Sequence, residues 1–453
     1  MTVTGYPIVN PDYVNTVLSL RWDDLPPVVQ LQAKRCLKDI LAVAAASHSL
    51  PASTKWRKLV ESQYGPGPVP MWFAGRSGSL CGSSLFNAAT IDSLDWHDGF
   101  RPVKGHAGAT VVPLVLGSCA LSPVDGKQLL TALVIGYEIA CRAGLALHRM
   151  YHPAYHASGS WAALGAAAAG ARILSVPAER FDAVLGAAEY YAPISPMMRV
   201  VDSPASVKDS AAAGPLAAAT ALSMDAGGLS GPPSLLQAET EAAGPIATLG
   251  GEWLILKQYF KPYPTCRWSQ PAVEAVLMLQ KENGFSCREV DRIHVETFAA
   301  GARLTRFPPK HSDDAQYSTP WAVAAALVDA ELGMRQVHPD RLADPEILRI
   351  GSRVSVSESK DLEARFPDEC LVRLRVDLRN GRSFHCPAIA APGDWDNPLS
   401  EEQLNRKFAA AAVPVLGARR WGRLVELIDT LERYDSTGLL QLVAAAPPGG
   451  QTG

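Results

Sequence analysis

Apolar residues recur at helical spacing through most of the first 255 residues and alternate as in strands further along the chain. Residues 27–47, PVVQLQAKRCLKDILAVAAAS, follow the helical pattern. Residues 290–299, VDRIHVETFA, alternate with a period of two. No convincing strand alternation precedes residue 255. The pattern predicts a mainly α protein with an α+β insertion.

Four further segments of the first half read as helices, and most of them are rich in small residues. They cover 80–96, 126–150, 157–174 and 205–222. The second is apolar nearly all round, and its Glu138 and Arg142, four residues apart, can neutralise each other inside a bundle. Small residues along the last two let helix axes approach closely. We therefore expect one large helical domain.

The second half mixes strands and helices before it becomes helical again. Residues 370–377 and 382–388 flank Asn380-Gly381 as in a hairpin, and 320–331 reads as a helix with proline in its first turn. Helix resumes at 400–416, after a capping box of Ser400 and Gln403, and continues over 421–434. The predicted domains are helical 1–255, an α+β lid 256–398, and helical 399–443 packing back on the first, before a disordered tail 444–453.

Composition narrows the functional classes. The 453 residues are 47% hydrophobic and 19% charged, with a net charge of −3 and no basic block, which disfavours nucleic-acid binding. The N-terminal residues lack the pattern of a secretory signal, so a cytoplasmic location is expected. The eight cysteines form no CxxC pair, which disfavours disulfides and thiolate zinc sites. The most apolar stretches, near 108–121 and 157–174, are too short to span a bilayer, so no membrane partner is expected.

The stretch 92–110, DSLDWHDGFRPVKGHAGAT, holds the densest group of reactive side chains. Asp95 and Asp98 are ordinary helix caps on one interpretation, and His97 and His106 are satisfied imidazoles. On the other, a helix carrying Asp95 runs into a glycine-rich loop that ends at His106. A carboxylate and an imidazole at one loop mouth suit general acid-base chemistry.

Three histidines, at 148, 152 and 156, have the spacing of a metal-binding helix face, but Pro153 breaks the helix and no acidic ligand completes the motif. No metal is therefore expected. His156 is better interpreted as an imidazole at a loop mouth, directly before the small-residue segment 157–174.

Cations and a phenol complete the set of candidate residues. Lys208 opens an Ala-rich segment, either as a solvated lysine or as the partner of an anion. The stiff run KQYFKPYPTCR carries Lys261 as a point charge and Arg267 as a fork suited to carboxylates. Tyr317, just before a helix, has a phenol able to donate or accept a proton. The motifs GxGxxG, GxxxxGK[ST] and GxSxG are absent, so neither a nucleotide cofactor nor an acyl-enzyme is expected.

Six motifs, in order along the chain, resemble those of the MmgE/PrpD family, which includes 2-methylcitrate dehydratase, cis-aconitate decarboxylase and iminodisuccinate epimerase. They are SLDWHDG with KGHAGATVVPLVL, GYEIACR, YHASGSWAALGAAAAGARIL, VKDSAAAG with GGLSGPP, KPYPTCR, and DAQYSTPWAVAAAL. The resemblance implies a helical domain with a lid domain, no cofactor and a homodimer. It implies an active site made of Asp95, His106, His156, Lys208, Lys261 and Tyr317.

The chain departs from the family pattern at four positions near these motifs. The family often has Asp at His97, Pro at Ala107 and His at Gln270, and its decarboxylating members tend to carry His near Cys266. The last difference makes decarboxylation the less expected reaction. The proton-transfer residues themselves are intact.

Together these features predict a lyase that acts on a small di- or tricarboxylate, with 2-methylcitrate-type dehydration expected first. Lys208, Lys261 and Arg267 would hold the carboxylates, His106 and His156 would transfer protons, Asp95 would orient an imidazole, and Tyr317 would assist as an acid. Epimerisation and decarboxylation remain alternatives, since each also starts from charge developed beside a carboxylate. A non-catalytic carboxylate-binding protein and a structural dimer are the competing classes.

Overall fold

A computed structural model describes residues 8–151 and 157–447, and helices dominate the part before residue 255. These helices are α1 Tyr13–Ser19, α2 Pro27–Ser47, α3 Pro51–Gln63, α4 Leu80–Asp92, α5 Gly108–Leu121, α6 Gly126–Met150, α7 Ser158–Ile173, α8 Ala178–Tyr191, α9 Met197–Asp202, α10 Ala213–Ala226, α11 Leu235–Ala238 and α12 Ala243–Ala247. Three short strands, β1 Val69–Met71, β2 Arg76–Gly78 and β3 Gly99–Phe100, interrupt them.

Helix α7 is the centre of the helical domain and packs against α5, α6, α8 and α10. Its close approach to α6 depends on glycine, because a Cβ on Gly165 would overlap the carbonyl of Gly136. The Glu138–Arg142 ion pair predicted within α6 is present and fully buried. Among the described residues, only α6 is long and apolar enough to cross a membrane. The most apolar 18-residue stretch of this helix is 94% buried inside the protein. Such burial is typical of a core helix.

The segment after residue 255 contains the α+β insertion. Its elements are β4 Gln258–Tyr259, α13 Gln270–Asn283, β5 Val290–Thr297, α14 Ser312–Gln316, α15 Thr319–Asp329, α16 Met334–Val337, α17 Pro345–Gly351, β6 Val354–Glu358, α18 Lys360–Glu363, β7 Leu371–Leu378 and β8 Ser383–Ala390. The sheet order is β6-β5-β7-β8, with β5 and β6 parallel and the other pairs antiparallel. Helix α13 covers β7 and β8, and Gly381 supplies the positive φ of the hairpin turn.

The chain then returns to the first domain through α19 Glu401–Leu416, α20 Ala418–Asp429 and α21 Thr437–Ala444. Ser400 forms the predicted capping box with Gln403, and α19 packs against α2. The predicted disordered tail began at Ala444, but Arg420 donates hydrogen bonds to the carbonyls of Ala445 and Ala446. Residues 448–453 lie outside the described part of the chain.

The mainly α fold with an α+β insertion is confirmed, and two local predictions are wrong. The helix predicted over 80–96 ends at Asp92, because Asp95 has a φ of +51°, which a helix cannot contain. The helix predicted from 205 starts only at Ala213, because Lys208 and Ser210 also have positive φ. Both differences fall on the loops that carry the candidate residues.

Candidate active site

Five of the seven predicted site residues line one cavity between the helical domain and the α+β segment. They are Asp95, His106, Lys261, Arg267 and Tyr317. Two antiparallel pairs, Gly99 with Tyr259 and Phe100 with Gln258, join the loop after α4 to β4 and so bring the two parts of the chain together. Residues separated by more than 200 positions therefore meet at one cavity.

His106 is held in a defined orientation and tautomer. Its Nδ1 lies 2.5 Å from the carbonyl oxygen of Asp98, and because a carbonyl only accepts, Nδ1 carries the proton. Its backbone N–H donates to Ser158 Oγ at 2.8 Å. No described residue hydrogen-bonds to Nε2, which therefore keeps a free lone pair. Burial, together with the charge of Lys261, lowers the pKa of His106 to about 3, so the ring is neutral and unprotonated at Nε2 at neutral pH.

Asp95 and Lys261 form a buried ion pair in the same cavity. Lys261 also donates to the backbone carbonyl of Asp95 at 2.9 Å. Burial by itself would raise the pKa of Asp95, but the two lysines, Lys261 and Lys208, lower it to about 2. Its second oxygen, Oδ2, is buried without a hydrogen-bond partner among the described residues. Asp95 is thus ionised, and its unpaired oxygen is able to accept a hydrogen bond from a ligand.

Lys208 is buried beside this pair, although it does not line the cavity. It donates to the amide oxygen of Gln316, and its Nζ lies 3.7 Å from Asp313 Oδ1. Gln316 in turn donates to the backbone carbonyl of Ser93 at 3.0 Å. Gln316, which sequence reasoning missed, therefore ties α14 to the loop after α4.

The guanidinium of Arg267 is occupied by protein atoms. Its NH1 donates to Gln270 at 3.1 Å and to the carbonyl of Pro392 at 2.9 Å, while NH2 donates to the carbonyl of Ala391 at 2.9 Å and to Asp394 at 2.6 Å. Both terminal nitrogens have used their two protons. Arg267 thus holds the loop 391–394 against the cavity, and direct contact with a ligand would require the loss of one of these bonds or the use of Nε.

Tyr317 presents a protonated phenol to the cavity, where it packs beside Trp268 and Val200. Burial, with the negative charge of Asp95, raises its pKa well above the usual value. Its hydroxyl has no hydrogen-bond partner among the described residues. The phenol is therefore able to donate a proton or a hydrogen bond to a ligand.

His97, one of the departures from the family pattern, packs against the edge of His106 with ring centroids 4.5 Å apart. Its Nδ1 donates to the same Asp98 carbonyl at 3.2 Å, so Nε2 accepts, and it faces Asp92 Oδ1 at 3.3 Å. That contact requires a protonated carboxyl. Burial raises the pKa of Asp92 to about 7, which agrees with the geometry.

Sequence reasoning also missed Asp209, Tyr259 and Lys104, which line the cavity. Asp209 accepts a hydrogen bond from Ser158, and so supports the residue that bonds to the backbone of His106. Tyr259 packs 6.1 Å from the His106 ring. The sequence indicated these residues only indirectly. Asp209 is next to the predicted Lys208, Lys104 lies within the stretch 92–110, and Tyr259 lies within the run KQYFKPYPTCR.

His156 lies outside the described residues, so its predicted role stays a prediction. The same holds for His152, the middle histidine of the metal spacing. Among the described residues no group of three or more His, Cys, Asp or Glu side chains is arranged to hold a metal ion.

Comparison with known proteins gives two kinds of match. Residues 12–253 match the MmgE/PrpD N-terminal domain and residues 263–433 match the MmgE/PrpD C-terminal domain. Cis-aconitate decarboxylase of Mus musculus is 23% identical over 81% of this chain and 78% of its own length, and that of Homo sapiens is 24% identical over 81% and 79%. A cis-aconitate decarboxylase-like protein, oryM, of Aspergillus oryzae is 20% identical over 96% and 97%. These matches support a lyase that acts on carboxylates.

Proposed function

The chain belongs to the MmgE/PrpD family, and on that premise we propose that it is a lyase that removes a proton α to a carboxylate of a small di- or tricarboxylate. The favoured reaction is dehydration of a β-hydroxy acid of the 2-methylcitrate type. The family match supports the class of enzyme. The residues around the cavity support the reaction.

The observation that carries the proposal is the state of His106. A neutral imidazole with Nδ1–H fixed on a carbonyl has one function left, which is to accept a proton at Nε2. A pKa far below neutrality keeps the base form fully populated. It also means that the imidazolium is formed only transiently and passes its proton on quickly.

The charge that develops on the substrate needs stabilisation, and Lys261 is suited to provide it. An ammonium group has three protons, and Lys261 spends two of them on Asp95. The third is available for the carboxylate next to the reacting carbon. A fixed buried donor costs little reorganisation when negative charge moves onto that carboxylate.

Loss of the β-hydroxyl needs an acid, and Tyr317 is the described residue that fits. Its phenol is protonated and unpartnered at the cavity. His156 is the other predicted acid. Three bond changes make up the reaction. The electrons of the C–H bond form the C=C bond, and the C–O bond breaks. The leaving hydroxyl takes a proton from the acid and departs as water.

Decarboxylation is the second candidate, supported by the names of the three relatives. It would put a carbanion where CO2 leaves, and a proton donor must then reach that carbon. Cys266 stands near the place where decarboxylating members tend to carry His. Burial raises the pKa of Cys266 to about 12, so the thiol stays protonated, and this position lacks the imidazole that could both accept and return a proton. This residue favours dehydration over decarboxylation.

The cavity volume of about 50 Å³ bears on how substrate enters. Pockets that bind drug-sized ligands usually measure about 300–1,000 Å³, so a tricarboxylate does not fit without movement. We expect the α+β segment to act as a lid that opens for substrate and closes to exclude water.

The test is incubation with citrate, 2-methylcitrate, cis-aconitate and iminodisuccinate in D2O, followed by NMR. Alkene formation from 2-methylcitrate is the expected result. CO2 release from cis-aconitate would assign decarboxylation, and deuterium uptake without elimination would assign epimerisation. Ligand-dependent stabilisation with no conversion of any compound would contradict the proposal and indicate a carboxylate-binding protein.

A further inference from the structure

The cations that line the cavity differ in whether a carboxylate of the protein pairs with them, which the amino-acid sequence does not reveal. Lys261 is paired with Asp95. Arg267 is paired with Asp394, and Arg101 with Asp394 and Asp396. Each of these cations is thus already paired with at least one carboxylate of the protein, and Asp394 is shared by the two arginines.

Lys104 also lines the cavity, and its ammonium has no hydrogen bond or ion pair with any described residue. The side chain is partly buried, and burial lowers its pKa. Cys370 lines the same cavity, and it is the acidic group whose charge would act on Lys104. Burial raises the pKa of that thiol to about 12, so at neutral pH Cys370 does not balance the lysine.

The backbone conformation fixes the position of Lys104 relative to His106. Lys104 lies two residues before His106 and has a φ of +54°, in the left-handed region that residues other than glycine seldom adopt. Its N–H closes a turn on the carbonyl of Arg101 at 3.0 Å. The lid residues Phe366 and Pro367 line the same cavity. Lys104 thus shares one cavity with the proposed base and with residues of the proposed lid.

We propose that Lys104 binds the carboxylate of the substrate that lies farther from the reacting carbon, and so makes the site select tricarboxylates over dicarboxylates. The inference rests on the proposed function, because it assigns one contact within the same site. A partly buried cation without a protein anion is stabilised when a ligand carboxylate takes that position. Lys261, beside His106, remains the donor for the carboxylate next to the reacting carbon.

The experiment combines a change in the protein with a change in the substrate. Lys104→Met is expected to raise KM for the tricarboxylate about 10- to 100-fold while kcat changes less than threefold, because the contact is the same in ground and transition states. A substrate analogue lacking one terminal carboxylate should have the same high KM with the wild type and with Lys104→Met. Lys104→Arg, which keeps the charge, should recover most of the affinity for the tricarboxylate.

Lys360→Met is the matched control, because it removes an equal charge from an exposed position of the lid. It should leave KM unchanged. Unfolding midpoints of all variants show that each has folded. An unchanged KM in Lys104→Met, or an equal loss for both substrates, would overturn the inference while leaving the proposed function intact.

A direct binding measurement covers the case in which the wild type converts none of the compounds. Citrate binding is then measured by calorimetry with the wild type and Lys104→Met. A 10-fold or larger loss of affinity supports the role of Lys104 even though the proposed reaction is wrong. Equal affinities overturn that role, and no binding to the wild type overturns both proposals.

Discussion

The buried ion pair between Lys407 and Asp39 offers the sharpest test of how the site loop is held. Lys407, on α19, pairs with Asp39 of α2 and donates to the backbone carbonyl of Trp96 at 2.9 Å. Asp39 accepts from the backbone N–H of Asp98 at 2.8 Å. The pair therefore bonds to the backbone on both sides of His97. Asp98, one of these two residues, also provides the carbonyl that orients His106.

Lys407→Met should cost about 3–5 kcal/mol of unfolding free energy, because it leaves the Asp39 carboxylate buried and unpaired. The double variant Asp39→Asn/Lys407→Met should recover a large part of that loss, since both charges are gone and the asparagine oxygen still accepts from Asp98. Turnover of Lys407→Met should fall as well, because the Asp98 carbonyl is no longer fixed.

The assay is urea unfolding followed by tryptophan fluorescence and circular dichroism, with kcat measured in parallel. Arg406→Met is the matched control on the same helix, because the ion pair of Arg406 with Glu402 is exposed and such pairs are worth roughly 0–1 kcal/mol. A Lys407→Met variant as stable as Arg406→Met, or a double variant no more stable than Lys407→Met, would refute this account of the loop.

Three other predictions concern the cavity and its surroundings. Gly99→Ala should lower kcat without unfolding the protein, because a Cβ there overlaps the ring of Tyr259 and lies 2.8 Å from His106 Nδ1; wild-type turnover would contradict it. Tyr317→Phe should lower kcat about 100-fold with little change in unfolding midpoint, as expected for loss of an acid. The carboxyl of Asp92, whose pKa is raised to about 7, binds its proton more tightly in the folded state than in the unfolded state, so the wild type loses stability as the pH rises from about 4 to 7. Asp92→Asn lacks this loss, and its free energy of unfolding should rise relative to the wild type by up to about 1.4 kcal/mol per pH unit. A difference in unfolding free energy that is independent of pH would show that Asp92 ionises normally.

Local pattern was enough to predict the regular elements. The helix predicted over 27–47 is α2 residue for residue, and 126–150 is α6, because each has a capped or proline-marked start and a continuous apolar face. The hairpin around Asn380-Gly381 follows from its turn chemistry. These features depend on neighbours within a few residues, which a single sequence contains.

The site was predicted as a set of residues but not as an electrostatic arrangement. Nothing near Arg267 in the sequence indicates that Asp394, more than 120 residues later, satisfies it. Lys104 stands in the loop already singled out, yet only the tertiary structure shows that it alone among the cavity cations lacks a partner within the described residues. The positive φ of Asp95 and that of Lys208, which shorten one predicted helix at its end and another at its start, likewise have no signal in the local pattern.

The central claim is that neutral His106 removes the α proton of a polycarboxylate, and exchange of that proton with solvent tests it most directly. Wild-type protein in D2O should incorporate deuterium into the reacting position of the tricarboxylate it converts, and His106→Ala should slow both exchange and turnover by about 10²–10⁴. Exchange and turnover at wild-type rates in His106→Ala would contradict the account.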